Sequence, residues 1–164
     1  MSWYLFFKFL HIVSVIWFVG GIFSRQLVRR AAKKTDDVHV FANLNQAAGI
    51  MEKAMVIPGS MAALILGIIV SLIGGIPIFG FLQGASQNWL LVSNILLLIM
   101  IGVVPGIFLP RGKKFEPLLS AALAEGRITP ELRQAMDDPV VKYAHLYEEV
   151  SLIVIVILMV MKPF

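Results

Sequence analysis

Four stretches of the sequence are long and apolar enough to cross a lipid bilayer as helices. A hydrocarbon core about 30 Å thick needs about 20 mostly apolar residues per helix. Lipid offers the backbone no hydrogen-bond partner, so each stretch must close its own backbone hydrogen bonds. The predicted spans are residues 3–24, 54–75, 89–109 and 143–161. The sequence therefore predicts an all-α, polytopic transmembrane four-helix bundle that forms one integral membrane domain, residues 1–164.

The composition excludes a soluble globular domain. Hydrophobic residues make up 59% of the chain and charged residues 15%, whereas soluble domains average about 45–50% and about 25%. The net charge of +4 does not indicate a nucleic-acid partner, because the basic residues lie beside apolar spans. The chain has no cysteine, which excludes disulfides, thiolate metal sites, covalent c-type haem and cysteine nucleophiles.

The basic residues predict how the bundle is oriented. Of the 14 lysines and arginines, six flank the loop after the first span and six flank the loop after the third, which leaves only Lys8 and Lys162. Because loops rich in lysine and arginine stay in the cytoplasm, both termini are predicted outside and both basic loops inside a bacterial cytoplasmic (inner) membrane.

Each cytoplasmic loop is predicted to contain short amphipathic helices that lie on the inner membrane surface. Thr35 and Thr129 stand where helix N-caps are expected; Asp36 and Asp37 follow Thr35 as acidic first-turn residues, and Pro130 follows Thr129 at the first helical position. The helix that begins at Thr35 is expected to continue into the second span, with a kink at Pro58 and Gly59.

His11 lies inside the first span, about 10 Å below its outer end at 1.5 Å per residue. Ionisable residues at such depth usually face a bundle interior or a cavity. His11 would bind haem iron or another metal, or transfer protons; alternatively, it is a neutral imidazole hydrogen-bonded to a neighbouring helix. Lys8, on the same helical face, would pair with a haem propionate or extend to the outer surface. Ser93 and Asn94 of the third span are predicted at the same depth.

A second polar group is predicted near the inner ends of the spans. Its members are Arg25, Glu52, Lys53, His145, Glu148 and Glu149. This inner polar cluster is either a site where protons or ions enter the bundle or a set of interfacial ion pairs that neutralise charge beside lipid. His145 cannot share an iron with His11, because their predicted depths differ by roughly 15 Å or more.

The first span carries a distinctive set of residues, Lys8-Phe9-Leu10-His11-Ile12, Trp17, Gly20 and Arg25. In this set it resembles the first helix of the HemJ/CopD-like four-helix membrane proteins, and Met51-Glu52 resembles the HemJ Met-Glu pair. Length and helix plan are closest to a bacterial family of predicted integral membrane proteins of unknown function in that group. The resemblance implies haem b for HemJ-type members, which are linked to protoporphyrinogen oxidation, and copper for CopD-type members. Ser93 stands where HemJ-type proteins carry a lysine, so only His11 carries over as a haem ligand.

Two functions follow as alternatives. The first is haem b binding through His11 with a redox role near the outer leaflet, which would require an electron-transfer or small-molecule partner. The second is a non-catalytic transport or accessory role that moves protons or copper, with Met159 and Met161 as soft thioether ligands for Cu(I). A four-helix unit encloses little volume, so a homo-oligomer in the lipid bilayer is expected.

Overall fold

The structure is a computed structural model that describes residues 2–164, and every regular element in this part of the chain is helical. Four helical segments are long and apolar enough to cross a membrane, and they occupy Trp3–Ala32, Val38–Ile73, Trp89–Glu125 and Pro130–Met161. The predicted all-α fold with four spanning helices is confirmed. The segments extend beyond the predicted spans, because the loop helices continue the spanning helices.

The first segment is one helix, α1 (Trp3–Ala32), and the other three are each divided. A π-helical turn, Glu52–Val56, joins α2 (Val38–Met51) to α3 (Ile57–Ile73). A second π-helical turn, Val104–Phe108, joins α4 (Trp89–Val103) to α5 (Leu109–Glu125). The last segment consists of α6 (Pro130–Met136) and α7 (Pro139–Met161). A separate 3₁₀ turn, Gly80–Gln83, lies between α3 and α4.

Local sequence explains where these helices begin and bend. The Asp37 carboxylate accepts from the backbone N–H groups of His39 and Val40 at 2.8 and 3.1 Å, so the N-cap of α2 is Asp37 and not Thr35, and the helix begins later than predicted. Hydrogen bonds from Val40 and His39 hold the pKa of Asp37 below its ordinary value, so this cap weakens only as the pH falls through that lowered pKa. Pro58 follows the first π turn, where its missing N–H interrupts the helical hydrogen-bond ladder.

The bundle consists of two helix pairs, α1 with α3 and α4 with α7, which meet where α1 contacts α7 and α3 contacts α4. A shared apolar core joins the pairs and contains Phe18, Ile22, Val56, Met100 and Leu152. Large apolar side chains such as Ile16, Leu72 and Leu98 are more than half exposed on the outside of the bundle. Lipid would cover these side chains, since water is absent from the hydrocarbon core.

The two ends of the bundle differ in charge. At the basic end, α1 ends and α7 begins, and this end carries the arginines and lysines from Arg25 to Lys142. The opposite end carries two lysines, Lys8 and Lys162, together with Trp3 and Trp89. At the basic end, α2, α5 and α6 bury a second apolar core that contains Ala32, Val38, Phe41, Ala122 and Leu132. The predicted amphipathic loop helices therefore pack against one another in a small helical layer.

Close contact between α1 and α3 requires glycine at position 59. A Cβ atom at Gly59 would lie 3.0 Å from the Phe18 Cα atom, whereas one at Gly49 would have no neighbour within 4 Å. We expect Gly59→Ala to reduce the free energy of unfolding by about 1–3 kcal/mol, because the two backbones must separate. The control Gly49→Ala should leave it unchanged or raise it by about 0.5–1 kcal/mol. Unfolding in mixed micelles measures both, and equal effects would contradict this account of the packing.

Candidate functional site

The inner polar cluster centres on Arg25, whose side chain is fully buried at 0% exposure. Its Nη1 donates to Glu52 Oε2 and its Nη2 donates to Glu148 Oε2. Glu52 belongs to the first π turn and Glu148, only 1% exposed, belongs to α7. One guanidinium therefore connects three helical elements through charge-assisted hydrogen bonds, which are the stronger kind. Arg25 and Glu52 are also two of the residues that carry the family resemblance.

His145 joins this network in one particular tautomer. Arg29 Nη1 lies 2.7 Å from His145 Nε2, and a guanidinium can only donate, so Nε2 accepts and carries no proton. Nδ1 lies 3.0 Å from Glu148 Oε2 and 3.4 Å from Arg25 Nη2, at the limit of a hydrogen bond. The proton of the neutral ring is therefore on Nδ1, which donates to Glu148 Oε2. Two arginines, two glutamates and a neutral histidine form a charge-balanced group, which we call the Arg25 network.

Phe108 covers the Arg25 network from the second π turn. Its ring stacks on His145 with a centroid separation of 4.4 Å and an interplanar angle of 26°. The Arg25 Cζ atom lies 5.8 Å from the centroid of the same ring, within the range of a cation–π interaction. Each π turn therefore supplies one residue to the network, Glu52 from the first and Phe108 from the second, as such turns often do at functional sites.

The structure brings four of the six predicted cluster residues together, namely Arg25, Glu52, His145 and Glu148. Glu149 instead pairs with Arg30 at 3.2 Å in a more exposed position, and Lys53 is exposed.

The sequence interpretation missed Arg29, Phe108 and Gln26. Arg29 could have been predicted from the sequence, because it lies one helical turn after Arg25 and so shares its face. Phe108 and Gln26 come to this end of the bundle's interior only through the packing of the helices, for which the sequence carries no signal.

Two cavities lie on either side of the Arg25 network. The basic cavity has a volume of about 940 Å³, opens at the basic end and has His145 in its wall. The apolar cavity, about 210 Å³, lies further into the bundle and has Phe18, Ser60, Met100 and Glu148 in its wall. The hydrogen bond from His145 to Glu148 therefore lies between the two cavities.

The wall of the basic cavity carries an excess of positive charge. Its cations are Arg29, Arg30, Lys33, Arg111, Lys114 and Lys142. Its carboxylates are Glu131, Asp138 and Glu149. Six cations against three anions leave a net charge of +3 with His145 neutral, so the cavity attracts anions.

His11 lies in the interface between α1 and α3. Its Nδ1 is 3.0 Å from the Ala63 carbonyl oxygen, which can only accept, so Nδ1 carries the proton. A Cβ atom at Gly67 would lie 3.1 Å from His11 Cε1, so the ring packs directly on α3. The ring is thus hydrogen-bonded to a neighbouring helix, and its Nε2 keeps a lone pair. This arrangement is compatible with both alternatives for His11.

The other residues predicted around His11 lie elsewhere. Lys8 is exposed, with Nζ 5.7 Å from the centroid of the Tyr4 ring. Ser93 is buried on α4, where its hydroxyl donates to the Trp89 carbonyl at 2.7 Å, and Asn94 follows it. Among the described residues α1 and α4 do not pack against each other, so Ser93 and Asn94 are not brought beside His11. Within residues 2–164, no group of three or more His, Asp or Glu side chains could hold a metal ion.

Comparison with known proteins identifies one family. A family model described as "Predicted integral membrane protein (DUF2269)" matches residues 5–163, which include all four spanning segments. No curated protein matches the chain, and no solved structure matches it. The predicted assignment to a family of integral membrane proteins of unknown function agrees with this match, while the HemJ/CopD-like relationship stays a prediction.

The buried pairs of Arg25 predict a large effect on stability. We expect Arg25→Met to reduce the free energy of unfolding by about 3–5 kcal/mol, because Glu148 would stay buried without its partner. The control Arg30→Met removes an exposed partner of Glu149 and should cost about 0–1 kcal/mol. Unfolding in mixed micelles measures both, and similar losses would show that Arg25 does not connect the helices.

Proposed function

Because the chain belongs to the DUF2269 family of predicted integral membrane proteins, we propose that it works within a lipid bilayer and moves protons through the Arg25 network. The observation that carries this proposal is the position of His145 and Glu148 between the two cavities. Ionisable residues inside membrane-spanning helices most often belong to ion or proton pathways. If these residues only stabilised the fold, apolar residues in their place would stabilise it equally well.

The tautomer of His145 supports a specific route. When Arg29 moves away from Nε2, that nitrogen can accept a proton from the basic cavity. Nδ1 can then release its own proton across the 3.0 Å hydrogen bond to Glu148 Oε2. The imidazole is neutral before and after this step, and Glu148 becomes a neutral acid. To complete a cycle, Glu148 must release this proton toward the apolar cavity that it lines, and the ring must return to the tautomer with its proton on Nδ1. Arg25 keeps Glu52 as its ionised partner, so a charge-assisted pair persists beside the protonated Glu148.

Orientation and assembly are part of the proposal and come from the sequence. The basic end would face the cytoplasm of a bacterial cell, since positively charged loops are retained there. Lys34 and Lys113, both exposed at that end, should then escape an impermeant amine reagent applied to intact cells. A homo-oligomer, favoured by the small interior of four helices, would give a protein mass in detergent above that of one chain.

The proton pathway can be tested with two adjacent glutamates. We expect Glu148→Gln to lower voltage-driven proton uptake by sealed vesicles that contain the purified protein on the order of 10²-fold, as expected when one positioned proton-transfer group is lost. The control Glu149→Gln removes a neighbouring carboxylate that pairs with Arg30 outside the network, and should leave uptake unchanged. A pH-sensitive dye inside the vesicles reports uptake.

Two results would contradict the proton pathway. In the first, wild-type vesicles take up protons no faster than protein-free vesicles. In the second, both glutamine variants lose the same fraction of uptake. If Arg25→Met is strongly destabilising and no uptake occurs, the network serves only to hold the helices together.

The second candidate function is haem b binding through His11. Histidines that bind metals usually donate their other ring N–H to a backbone carbonyl or carboxylate, which fixes the tautomer. The hydrogen bond from His11 Nδ1 to the Ala63 carbonyl orients the ring in this way, and Nε2 would bind the haem iron. Lys8 would pair with a propionate. Bound haem b would supply one-electron redox chemistry near the outer leaflet.

Haem binding is tested by absorption spectroscopy of the purified protein, with and without added haemin. We expect a Soret band that is lost in His11→Ala and kept in His39→Ala, because His39 is exposed at the start of α2. Iron and copper are measured in the same samples. Iron would indicate haem, and copper would indicate the alternative site at Met159 and Met161. A colourless protein that takes up no haemin, or a band unchanged in His11→Ala, would exclude this site.

A further inference from the structure

We propose that the basic cavity binds a phosphate-bearing anion, either the headgroup of an acidic phospholipid or a soluble phosphate compound. This inference goes beyond proton movement and does not depend on it. Its first basis is charge, since the cavity wall carries six cations and three carboxylates. Basic pockets at the ends of membrane helices on the cytoplasmic side are typical sites for anionic lipid headgroups.

The second basis is a pair of buried donors without acceptors. Gln26 lines the cavity and is only 6% exposed, yet its Nε2 has no acceptor among residues 2–164. Arg29 also lines the cavity, and its Nε lacks an acceptor in the same part of the chain, although Nη1 donates to His145. A buried donor left unpaired is costly. Both residues line the cavity, so a small rotation of each side chain would present these shielded N–H groups to an oxyanion bound there.

The shape of Arg29 favours a phosphate or a similar oxyanion as the ligand. A guanidinium presents its N–H groups as a planar fork that matches the oxygens of a phosphate. With Nη1 occupied by His145, the Nε side of the fork is the part left for a ligand. Lys114 and Lys142 lie in the same wall, and their flexible ammonium groups can neutralise further phosphate oxygens.

The volume of the cavity indicates a ligand larger than inorganic phosphate. At about 940 Å³ it is at the upper end of the range for small-molecule sites, about 300–1,000 Å³. Its wall also includes the apolar side chains of Phe41, Phe115 and Leu118. The cavity therefore has room for an apolar or bulky portion beside a phosphate group, as in a phospholipid or an organic phosphate, and phosphate recognition itself can be probed with a smaller anion.

Two double lysine variants that lose the same net charge test the proposal on the full-length purified protein. The cavity variant Lys114→Ala/Lys142→Ala removes two cations from the wall. The control Lys34→Ala/Lys113→Ala removes two exposed cations of the same end that do not line the cavity. Both variants lose the same net charge, so a general electrostatic effect would weaken binding equally in both.

Two probes distinguish the sources of phosphate. Phosphatidylglycerol retained by protein from phosphatidylcholine nanodiscs is counted by native mass spectrometry, and pyrophosphate binding in uncharged detergent is measured by calorimetry. We expect the cavity variant to weaken one of these interactions on the order of tenfold, because two cations that attract the bound anion are removed. The control should change it less than about twofold on the same scale.

A third variant, Gln26→Leu, removes a buried donor without changing the net charge and should also weaken binding. Melting temperatures of all variants show whether they are folded. If the cavity variant loses only phosphatidylglycerol binding, the cavity is a lipid site. If it loses only pyrophosphate binding, the ligand is a soluble phosphate compound. Binding of neither probe by the wild type, or equal weakening in both lysine variants, would overturn the proposal. Proton uptake by the cavity variant is a separate measurement, because neither Lys114 nor Lys142 belongs to the Arg25 network.

Discussion

A guanidinium removed from water needs acceptors close by, and Arg25 finds them on two other helical elements. An unpaired charge in this position would cost several kcal/mol, so α1, the first π turn and α7 must meet at one height. This requirement also sets the contact between the two helix pairs, since α7 belongs to the second pair and Arg25 to the first. Lipid-facing apolar surface cannot impose such a register, because it is equally favourable at many heights.

Depth along the membrane was predictable from the sequence, whereas the neighbours of each helix were not. The rise of 1.5 Å per residue placed Arg25, Glu52, His145 and Glu148 at a common level, and they do meet. The same arithmetic placed Ser93 at the level of His11, but α1 packs against α3 and not against α4. Hydropathy is nearly uniform around such helices, so it does not indicate which face meets which partner.

The loop helices illustrate a second limit of the sequence. Amphipathicity predicted that each would bury one face; the N-cap at Thr129 was found where expected, whereas the first loop helix is capped by Asp37 and not by Thr35. The pattern does not specify what covers that face, because a membrane surface and another helix are equally apolar. In the structure, Phe41 of α2 and Phe115 of α5 lie with ring centroids 6.1 Å apart. Packing between the helices encloses the basic cavity, which no single stretch of sequence could have indicated.

The charges of this end divide into two groups with different physical roles. Within the Arg25 network, two arginines are balanced by two glutamates, so the network adds little to the long-range field of the cavity. The attraction for anions comes instead from the more exposed side chains of the wall, such as Lys114 and Lys142, whereas Arg30 pairs with Glu149. Arg29 belongs to both groups, since its Nη1 holds His145 while its Nε is left without an acceptor among residues 2–164. A ligand at Nε would therefore act on the residue that fixes the tautomer of His145, which makes Arg29 the physical link between the cavity and the network.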